Sequence, residues 1–206
     1  MIGILDYGVG NLSSVTNALN YLGIDNHVVT SPEGFAEISR LIIPGVGSYG
    51  KAMENIKDKL FFNQIKEFGK SGKPILGICL GMQLLSFTGT EPVETEGLGM
   101  IKGKVVLLPQ DIGIRIPHVG WNGVNLVNEH PILDGVKLKA DFYFVHSYYF
   151  SGVKKENTIA TTDYGIHFPS IVCNDAQNVI GIQFHPEKSQ KQGLQILENF
   201  SQIKNA

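Results

Sequence analysis

A cysteine between two glycines is the residue of this chain best suited to covalent chemistry. Gly77, Cys79 and Gly81 follow an apolar run at residues 74–78 and precede a helical pattern. This layout is typical of a nucleophile elbow, a strained strand-to-helix turn that lifts the reactive side chain clear of the sheet. A helix starting after Cys79 would favour the thiolate, and the Leu80 N–H could stabilise an oxyanion in acyl transfer. The alternative is a buried cysteine that only packs, but the paired glycines favour the nucleophile.

A histidine and a carboxylate two residues apart could supply the base that such a cysteine needs. His185 and Glu187 flank Pro186 after an apolar strand candidate, and residues i and i+2 of an extended chain project to the same side. Glu187 can therefore orient one imidazole nitrogen while the other faces a thiol, which is the logic of a catalytic triad. The chain has other histidines and a second cysteine that receive no catalytic role: His27, His130, His167 and Cys173.

Two further segments could belong to a site or be purely structural. Gly45, Val46 and Gly47 follow a strand candidate, and their N–H groups could complete an oxyanion hole or simply form a turn. The aromatic segments 117–122 and 142–149 place tryptophan and tyrosine beside polar groups. That composition suits either a core or a protein contact surface.

Metal binding and nucleotide binding are the competing interpretations. The sequence has no H-E-x-x-H motif, no closely spaced cysteine pair and no acidic calcium loop, so no metal site is expected. Gly8 and Gly10 nearly match the dinucleotide-binding pattern G-x-G-x-x-G, but Ser13 stands at the third glycine. A tight turn followed by a helix cap explains these residues more simply.

Apolar periodicity predicts the elements that must position these residues. Short β-branched runs alternate with amphipathic stretches in the first half, which predicts parallel β-α-β units, and the second half reads as β-rich. The predicted strands cover residues 2–5, 27–30, 41–43, 75–78, 105–108, 141–149, 159–162, 170–174 and 179–184. The predicted helices cover residues 11–22, one stretch within 50–70 that turns Leu60 toward the sheet, and a closing segment containing 194–200.

Length and composition predict a single globular domain over residues 1–206. The 206 residues carry a formal net charge of −2 and are 43% hydrophobic. A chain of this length is expected to bury roughly 70% of its unfolded surface on folding. The absence of a basic run argues against nucleic acid as the main ligand. No apolar stretch approaches the roughly 20 residues of a spanning helix, and the N-terminus lacks a signal-peptide pattern, so a cytoplasmic protein is expected.

Taken together, the motifs resemble those of class I glutamine amidotransferases. The cysteine elbow at residues 77–83 and the His-Pro-Glu sequence at residues 185–187 carry this resemblance. Finer motifs at residues 6–11, 44–47, 117–122, 144–148 and 185–189 are similar to those of the glutaminase subunits of imidazole glycerol phosphate synthase. The chain departs from that family at Val119, where methionine is frequent, and at residues 86–90, where Phe-Glu-x-Ser is frequent.

The resemblance implies a three-layer α/β/α fold with a mostly parallel sheet, and an ammonia-producing reaction. Glutamine would be hydrolysed to glutamate without a cofactor, and the ammonia would pass to a (β/α)8-barrel cyclase that makes imidazole glycerol phosphate and an aminoimidazole carboxamide ribotide. Cys79 is implied as nucleophile, His185 as base and acid, and Glu187 as its partner. The implied glutamine pocket contains Gly45, Val46, Gly47, Leu80, Gln83, His146, Ser147 and Tyr148. The implied partner interface contains Asn11, Trp121, Asn122, Tyr143 and Lys188.

Three alternatives remain open from the sequence. Paralogues of this family supply ammonia for the amidation of nucleotide-activated sugars. A hydrolase with the same triad could act on a different amide, and an interaction module could keep the fold without catalysis. Glutamine-protectable labelling of Cys79 distinguishes the last two from a glutaminase.

Overall fold

The computed structural model describes residues 1–137 and 140–206 of the chain. The strands are β1 (Ile2–Leu5), β2 (Asn26–Val29), β3 (Arg40–Gly45), β4 (Ile75–Cys79), β5 (Thr88–Gly89), β6 (Thr95–Glu96), β7 (Lys104–Leu107), β8 (His118–Gly123), β9 (Asn125–Leu126), β10 (Asp141–His146), β11 (Tyr148–Ser151), β12 (Thr158–Asp163), β13 (His167–Cys173) and β14 (Val179–Ile182). The helices are α1 (Leu12–Tyr21), α2 (Tyr49–Asp58), α3 (Phe61–Lys70), α4 (Leu80–Leu84) and α5 (Gln190–Gln202).

The central sheet contains eight strands in the order β2-β1-β3-β4-β14-β13-β12-β9. The first five are parallel, and the last three join them antiparallel. Parallel strands end at the same edge of a sheet, and ligands of such folds bind beyond that edge. Since β4 and β14 are neighbours, the chain that follows each of them emerges at one place.

Helices cover both faces of this sheet, because successive residues of its strands point apolar side chains to opposite faces. Leu41 and Ile43 of β3 pack in the cluster that holds α2 and α3, whereas Ile42 packs in the cluster that holds α1 and α5. Strands buried on both faces read as nearly continuous apolar runs, as β1, β3 and β4 do. The predicted α/β class, with a mostly parallel sheet and a β-rich second half, is confirmed.

Two smaller sheets complete the second half of the chain. β8 and β10 form an antiparallel ribbon, and β11, β7, β5 and β6 form a four-stranded sheet. β10 is tied to the segment after β14, because the His185 N–H donates to the Tyr143 carbonyl at 2.9 Å. The Ser189 hydroxyl reinforces this join by accepting from the Tyr143 N–H at 3.0 Å and donating to the His185 carbonyl at 2.6 Å. Among the described residues, no helix is both long and apolar enough to cross a membrane.

The long helix predicted within residues 50–70 is wrong, because the structure has two helices there. α2 ends at Asp58, and Leu60 adopts a left-handed conformation with φ 62° before α3 begins. The prediction that Leu60 faces the sheet is also wrong, since its side chain is 72% exposed. The turn re-aims the chain so that Phe61, Ile65 and Phe68 of α3 become buried.

The strand predicted over residues 141–149 is also wrong in extent. It divides at Ser147 into β10, which pairs with β8, and β11, which pairs with β7. The Ser147 carbonyl accepts from the Leu108 N–H at 2.9 Å, which anchors the crossing point between the two sheets. The partner strand β8 occupies the aromatic segment for which no element was predicted.

Candidate active site

The nucleophile elbow has the geometry that the glycine pattern indicates. Cys79 ends β4 with φ 55° and ψ −110°, and α4 begins at the next residue. Such a conformation is costly for a residue with a Cβ unless the surroundings enforce it. A Cβ at Gly81 would overlap the Ile43 carbonyl oxygen, and one at Gly77 would collide with the backbone of Gly81. The two glycines therefore allow three backbone segments to crowd together beneath the cysteine.

The imidazole and the carboxylate meet as the spacing predicts. His185 Nδ1 lies 2.8 Å from Glu187 Oε1, and both side chains are almost fully buried. Pro186 begins a short 3-10 turn that bends Glu187 back toward the ring. Among the described residues, neither His185 Nε2 nor Glu187 Oε2 has a hydrogen-bond partner, although both atoms are buried. The ring is thus held by one nitrogen and leaves the other free for a reacting group.

Cys79 and His185 lie close enough to couple electrostatically. Burial acts to lower the pKa of His185, but the neighbouring Cys79 and Glu187, which favour the charged ring, outweigh it and raise the pKa to about 10. The Nε2 and Sγ atoms are not hydrogen-bonded to each other, which is common before substrate binds. Cys79, His185 and Glu187 therefore converge in the arrangement that a nucleophile, a base and the orienter of that base require.

A cavity of about 240 Å³ opens directly on Cys79. It is bounded by a large part of the pocket expected from the resemblance, namely Val46, Gly47, Leu80, Gln83, His146, Ser147 and Tyr148. Gly45 lies outside this lining, because it is a buried residue of β3 that pairs with Cys79. Its position is structural: a Cβ there would meet the Tyr7 hydroxyl and Leu80.

The glycine loop after β3 is anchored at its base and open at its tip. The Tyr7 hydroxyl donates to the Pro44 carbonyl at 2.7 Å, and this tyrosine is fully buried. Val46 is exposed, and Gly47 has φ 110° with open space around it. The N–H of Leu80 is the first of α4, where helical geometry leaves the amide unpaired. Leu80 and the Val46 segment thus border the cysteine from two sides.

Three of the five residues expected at a partner interface form one cluster on the surface. Trp121 is 49% exposed, its ring packs edge-on against Tyr143 at 6.0 Å, and Lys188 Nζ lies 5.8 Å from the centre of the Tyr143 ring. Asn122 instead turns inward and donates to the Asp163 carbonyl at 2.9 Å. Asn11 caps α1 by accepting from the Ser14 N–H at 3.3 Å.

The residues that were set aside from catalysis have structural roles here. His130 accepts from the Ile132 N–H at 3.1 Å, and His167 pairs with Asp163 on the surface. Cys173 is buried in a strand, and burial followed by the charge of Asp175 raises its pKa to about 11. The glycine turn at residues 8–13 contains the Asn11 helix cap, in agreement with the simpler interpretation.

Several residues around the site were missed from the sequence. Glu91, Pro117 and Val145 also line the cavity, and Glu91 Oε2 accepts from the Tyr49 N–H at 3.0 Å. Gln183 is completely buried and places Nε2 3.9 Å from Cys79 Sγ. Its proximity to His185 in the sequence was the available signal, whereas Glu91 lies in a turn with no distinguishing pattern. No cluster of three or more potential metal ligands occurs among the described residues.

Comparison with known proteins places this geometry in a family context. Residues 3–203 match the family Glutamine amidotransferase class-I. A relative from Sulfurimonas denitrificans, named imidazole glycerol phosphate synthase subunit HisH, is 46% identical to this chain. The match covers 100% of this chain and 99% of the relative. The HisH of Caldanaerobacter subterraneus is also 46% identical, over 98% of both chains, and that of Aquifex aeolicus is 46% identical over 96% and 94%.

Solved structures with little sequence similarity share the fold. The structure of PurLQS from Thermotoga maritima superposes with a TM-score of 0.77 at 18% identity, covering 97% of this chain and 96% of that one. A crystal structure described as a glutamine amidotransferase gives a TM-score of 0.73 at 20% identity, over 97% and 98% of the two chains. At such identities the likeness concerns the fold alone.

Proposed function

This chain belongs to the class I glutamine amidotransferase family, and from that premise we propose that it is the glutaminase subunit of an imidazole glycerol phosphate synthase. The supporting observation is the 46% identity to HisH subunits over essentially the full length of both chains. The whole of residues 1–206 would then serve as one cytoplasmic glutaminase domain in histidine biosynthesis. This support favours the histidine pathway over sugar amidation.

The proposed reaction proceeds through a thioester. The Cys79 thiolate attacks the carboxamide carbon of glutamine, and the N–H groups of Leu80 and the Val46 segment stabilise the oxyanion. The His185 imidazolium gives its proton to the departing nitrogen, so ammonia leaves and a glutamyl thioester remains. His185, now neutral, takes a proton from water, and the resulting hydroxide attacks the thioester to release glutamate. Glu187 holds the ring and stabilises its charged form throughout.

The acidic residue in the cavity suggests how the substrate is oriented. We propose that the Glu91 carboxylate attracts the ammonium group of glutamine. The Glu91→Gln variant keeps an oxygen for the Tyr49 N–H but loses the charge, so KM for glutamine should rise about tenfold with a small change in kcat. Steady-state glutamate release measures both constants. Glu94→Gln is the control, because Glu94 is exposed and outside the cavity; an equal rise in KM for both variants would refute the assignment.

The proposed partner is a (β/α)8-barrel cyclase that receives the ammonia. The surface formed by Trp121, Tyr143 and Lys188 is its proposed contact, with Asn11 and Asn122 near its border. Tryptophan and tyrosine are enriched at the energetic centres of protein interfaces. Channelling ammonia into a barrel would also keep it from protonating in bulk water.

Truncating the exposed tryptophan tests this surface. Trp121→Ala should weaken binding to the cyclase at least about tenfold. The reason is that truncating a tryptophan at the centre of an interface costs more than about 1 kcal/mol of binding free energy. Isothermal titration calorimetry with the purified cyclase measures Kd. Tyr21→Ala is a matched control, since Tyr21 is an aromatic residue that is 80% exposed at the far end of α1. Unchanged Kd for Trp121→Ala would remove this surface from the interface.

The proposed function is tested by selective chemistry at the thiol. Iodoacetamide should alkylate Cys79, glutamine should protect it, and the chain mixed with a barrel cyclase should form imidazole glycerol phosphate from glutamine. Glutamine protection without synthesis, together with synthesis when a sugar-amidating partner is supplied, would instead support the paralogous role. A thiol that glutamine does not protect would contradict both.

A further inference from the structure

Two buried imidazoles are in contact beside the candidate glutamine pocket, and one of them, His146, lines it. His118 on β8 places Nδ1 3.0 Å from Nε2 of His146 on β10, and both side chains are buried. The His118 ring is stacked between Tyr164, at 3.9 Å between ring centres, and Phe144, at 4.9 Å. Burial lowers the pKa of His118 to about 4 and that of His146 to about 3. Both rings are therefore neutral near pH 7, and each has one donor and one acceptor.

The neighbours of the pair fix which nitrogen carries each proton. His146 Nδ1 lies 2.9 Å from the Tyr148 carbonyl, which can only accept, so Nδ1 donates and Nε2 accepts. His118 must then donate through Nδ1 and accept through Nε2, where Asn122 Nδ2 lies at 3.3 Å. Asn122 is oriented independently, because its Oδ1 accepts from the Gly123 N–H at 2.8 Å and its Nδ2 also donates to the Asp163 carbonyl. All donors therefore point one way, from Asn122 toward Tyr148.

The chain of bonds continues into the pocket through Gln83. Its Nε2 donates to the same Tyr148 carbonyl at 2.9 Å and to Gln183 Oε1 at 3.2 Å. These two bonds use both hydrogens of the amide, so Oε1 is the atom of Gln83 that can accept from a ligand. Gln183 in turn places its Nε2 3.9 Å from Cys79 Sγ. One polar network thus links the β8–β10 ribbon to the side-chain amide of Gln83 on α4 and, through Gln183, to the Cys79 thiol.

We infer that His118 and His146 are positioning residues for glutamine binding, which fix the Tyr148 carbonyl and thereby hold Gln83 with its carbonyl oxygen toward the substrate. Neither imidazole needs to exchange a proton during the reaction. A fully satisfied buried network specifies one arrangement of its members, whereas a broken one leaves costly unpaired groups. This inference rests on the proposed function for the identity of the ligand, but its tautomers are a property of the free protein.

The first experiment reads the tautomers directly. The full-length chain labelled with 15N-histidine should show Nδ1–H and a non-protonated Nε2 at both His118 and His146, and both rings should stay neutral at pH 6. Two-bond nitrogen–proton correlation spectra distinguish the tautomers, and the single variants His118→Gln and His146→Gln assign the signals. An Nε2–H tautomer at either ring would reverse the direction of the chain and overturn the inference, whatever the enzyme's substrate.

The second experiment measures the effect on glutamine binding in complex with the cyclase. His118→Phe keeps the stacking but removes both hydrogen bonds, so KM for glutamine should rise about tenfold while alkylation of Cys79 by iodoacetamide stays within about twofold. His118→Gln can still donate to His146 and accept from Asn122, so its KM should stay within about twofold of the wild-type value. Circular dichroism checks folding.

The outcomes distinguish failure of the positioning role of His118 and His146 from failure of the proposed glutaminase function. An unchanged KM in folded His118→Phe, or a tenfold rise in His118→Gln, overturns the positioning role even if wild-type enzyme hydrolyses glutamine. If His118→Phe does not fold, His118→Gln and the tautomer spectra still decide. Wild-type enzyme that ignores glutamine refutes the proposed function alone, since the tautomer result then stands independently.

Discussion

The Cys79→Ala variant is expected to lose glutamine hydrolysis by at least about a thousandfold in kcat, while the complex still makes product from added ammonium salt. The thiolate is the proposed attacking group, and loss of a triad nucleophile removes the covalent route altogether. Ammonia-dependent synthesis uses only the cyclase site, so it should survive. Glutamate release and product formation, measured on the same preparation, provide the two readouts.

The second cysteine provides a matched control for this result. Cys173→Ala removes a buried thiol whose pKa is raised by burial, so glutamine hydrolysis should persist at a normal rate with some loss of stability. Two results would contradict the assignment of Cys79: hydrolysis that survives in Cys79→Ala, or simultaneous loss of the glutamine-dependent and ammonia-dependent reactions, which would indicate a structural thiol.

The His185→Asn variant is expected to lower kcat for glutamine by about a thousandfold. Asparagine can still hydrogen-bond to Glu187, but it cannot carry a proton to the departing ammonia or take one from water. Glutamine should still protect Cys79 from slow alkylation, because the pocket of Gln83 and Tyr148 is intact. Single-turnover glutamate release measures the chemical step; a loss confined to KM would show that His185 only binds substrate.

The Glu187→Gln variant should move the alkaline limb of the kcat profile to lower pH. The carboxylate of Glu187 is one of the groups that raise the pKa of His185 to about 10, so its removal lowers that pKa. In the proposed mechanism ammonia release needs the protonated ring, so activity should be lost as pH rises through the pKa of His185. The alkaline limb of the kcat profile should lie near pH 10 in the wild-type enzyme and at lower pH in the variant. A limb that moves upward, or does not move, contradicts the proposed charge state.

The parts of the fold that the sequence predicted best are those whose burial requires a regular spacing of apolar residues. β1, β3 and β4 are buried on both faces and read as continuous apolar runs. In α1 and α5 the buried apolar residues recur every three or four positions. The elbow was equally visible, because crowding of the Gly77, Cys79 and Gly81 backbone demands glycine on both sides. His185 and Glu187 were recognisable because their contact is local in sequence.

The features that sequence missed depend on partners far along the chain. Leu60 continues the apolar spacing of its neighbours, and only the packing of α3 shows that the chain turns there. The change of sheet at Ser147 depends on β7 and β8, which periodicity does not pair. Glu91 reaches the cavity, and Gln183 reaches Cys79, through tertiary contacts. The bond between His118 and His146 joins residues 28 positions apart. No local pattern encodes such contacts.

The bend at Cys79 is accommodated by the main chain, because Gly77 and Gly81 leave room for the close approach of neighbouring backbone. Because this room does not depend on the sulfur, we expect exchange of the Cys79 side chain to leave the scaffold unaltered. A serine or selenocysteine installed at this point would present its oxygen or selenium to the same imidazole. The enzyme's architecture and its reactive atom are therefore separable, which makes the bend a template on which nucleophiles of different softness can be compared in one environment.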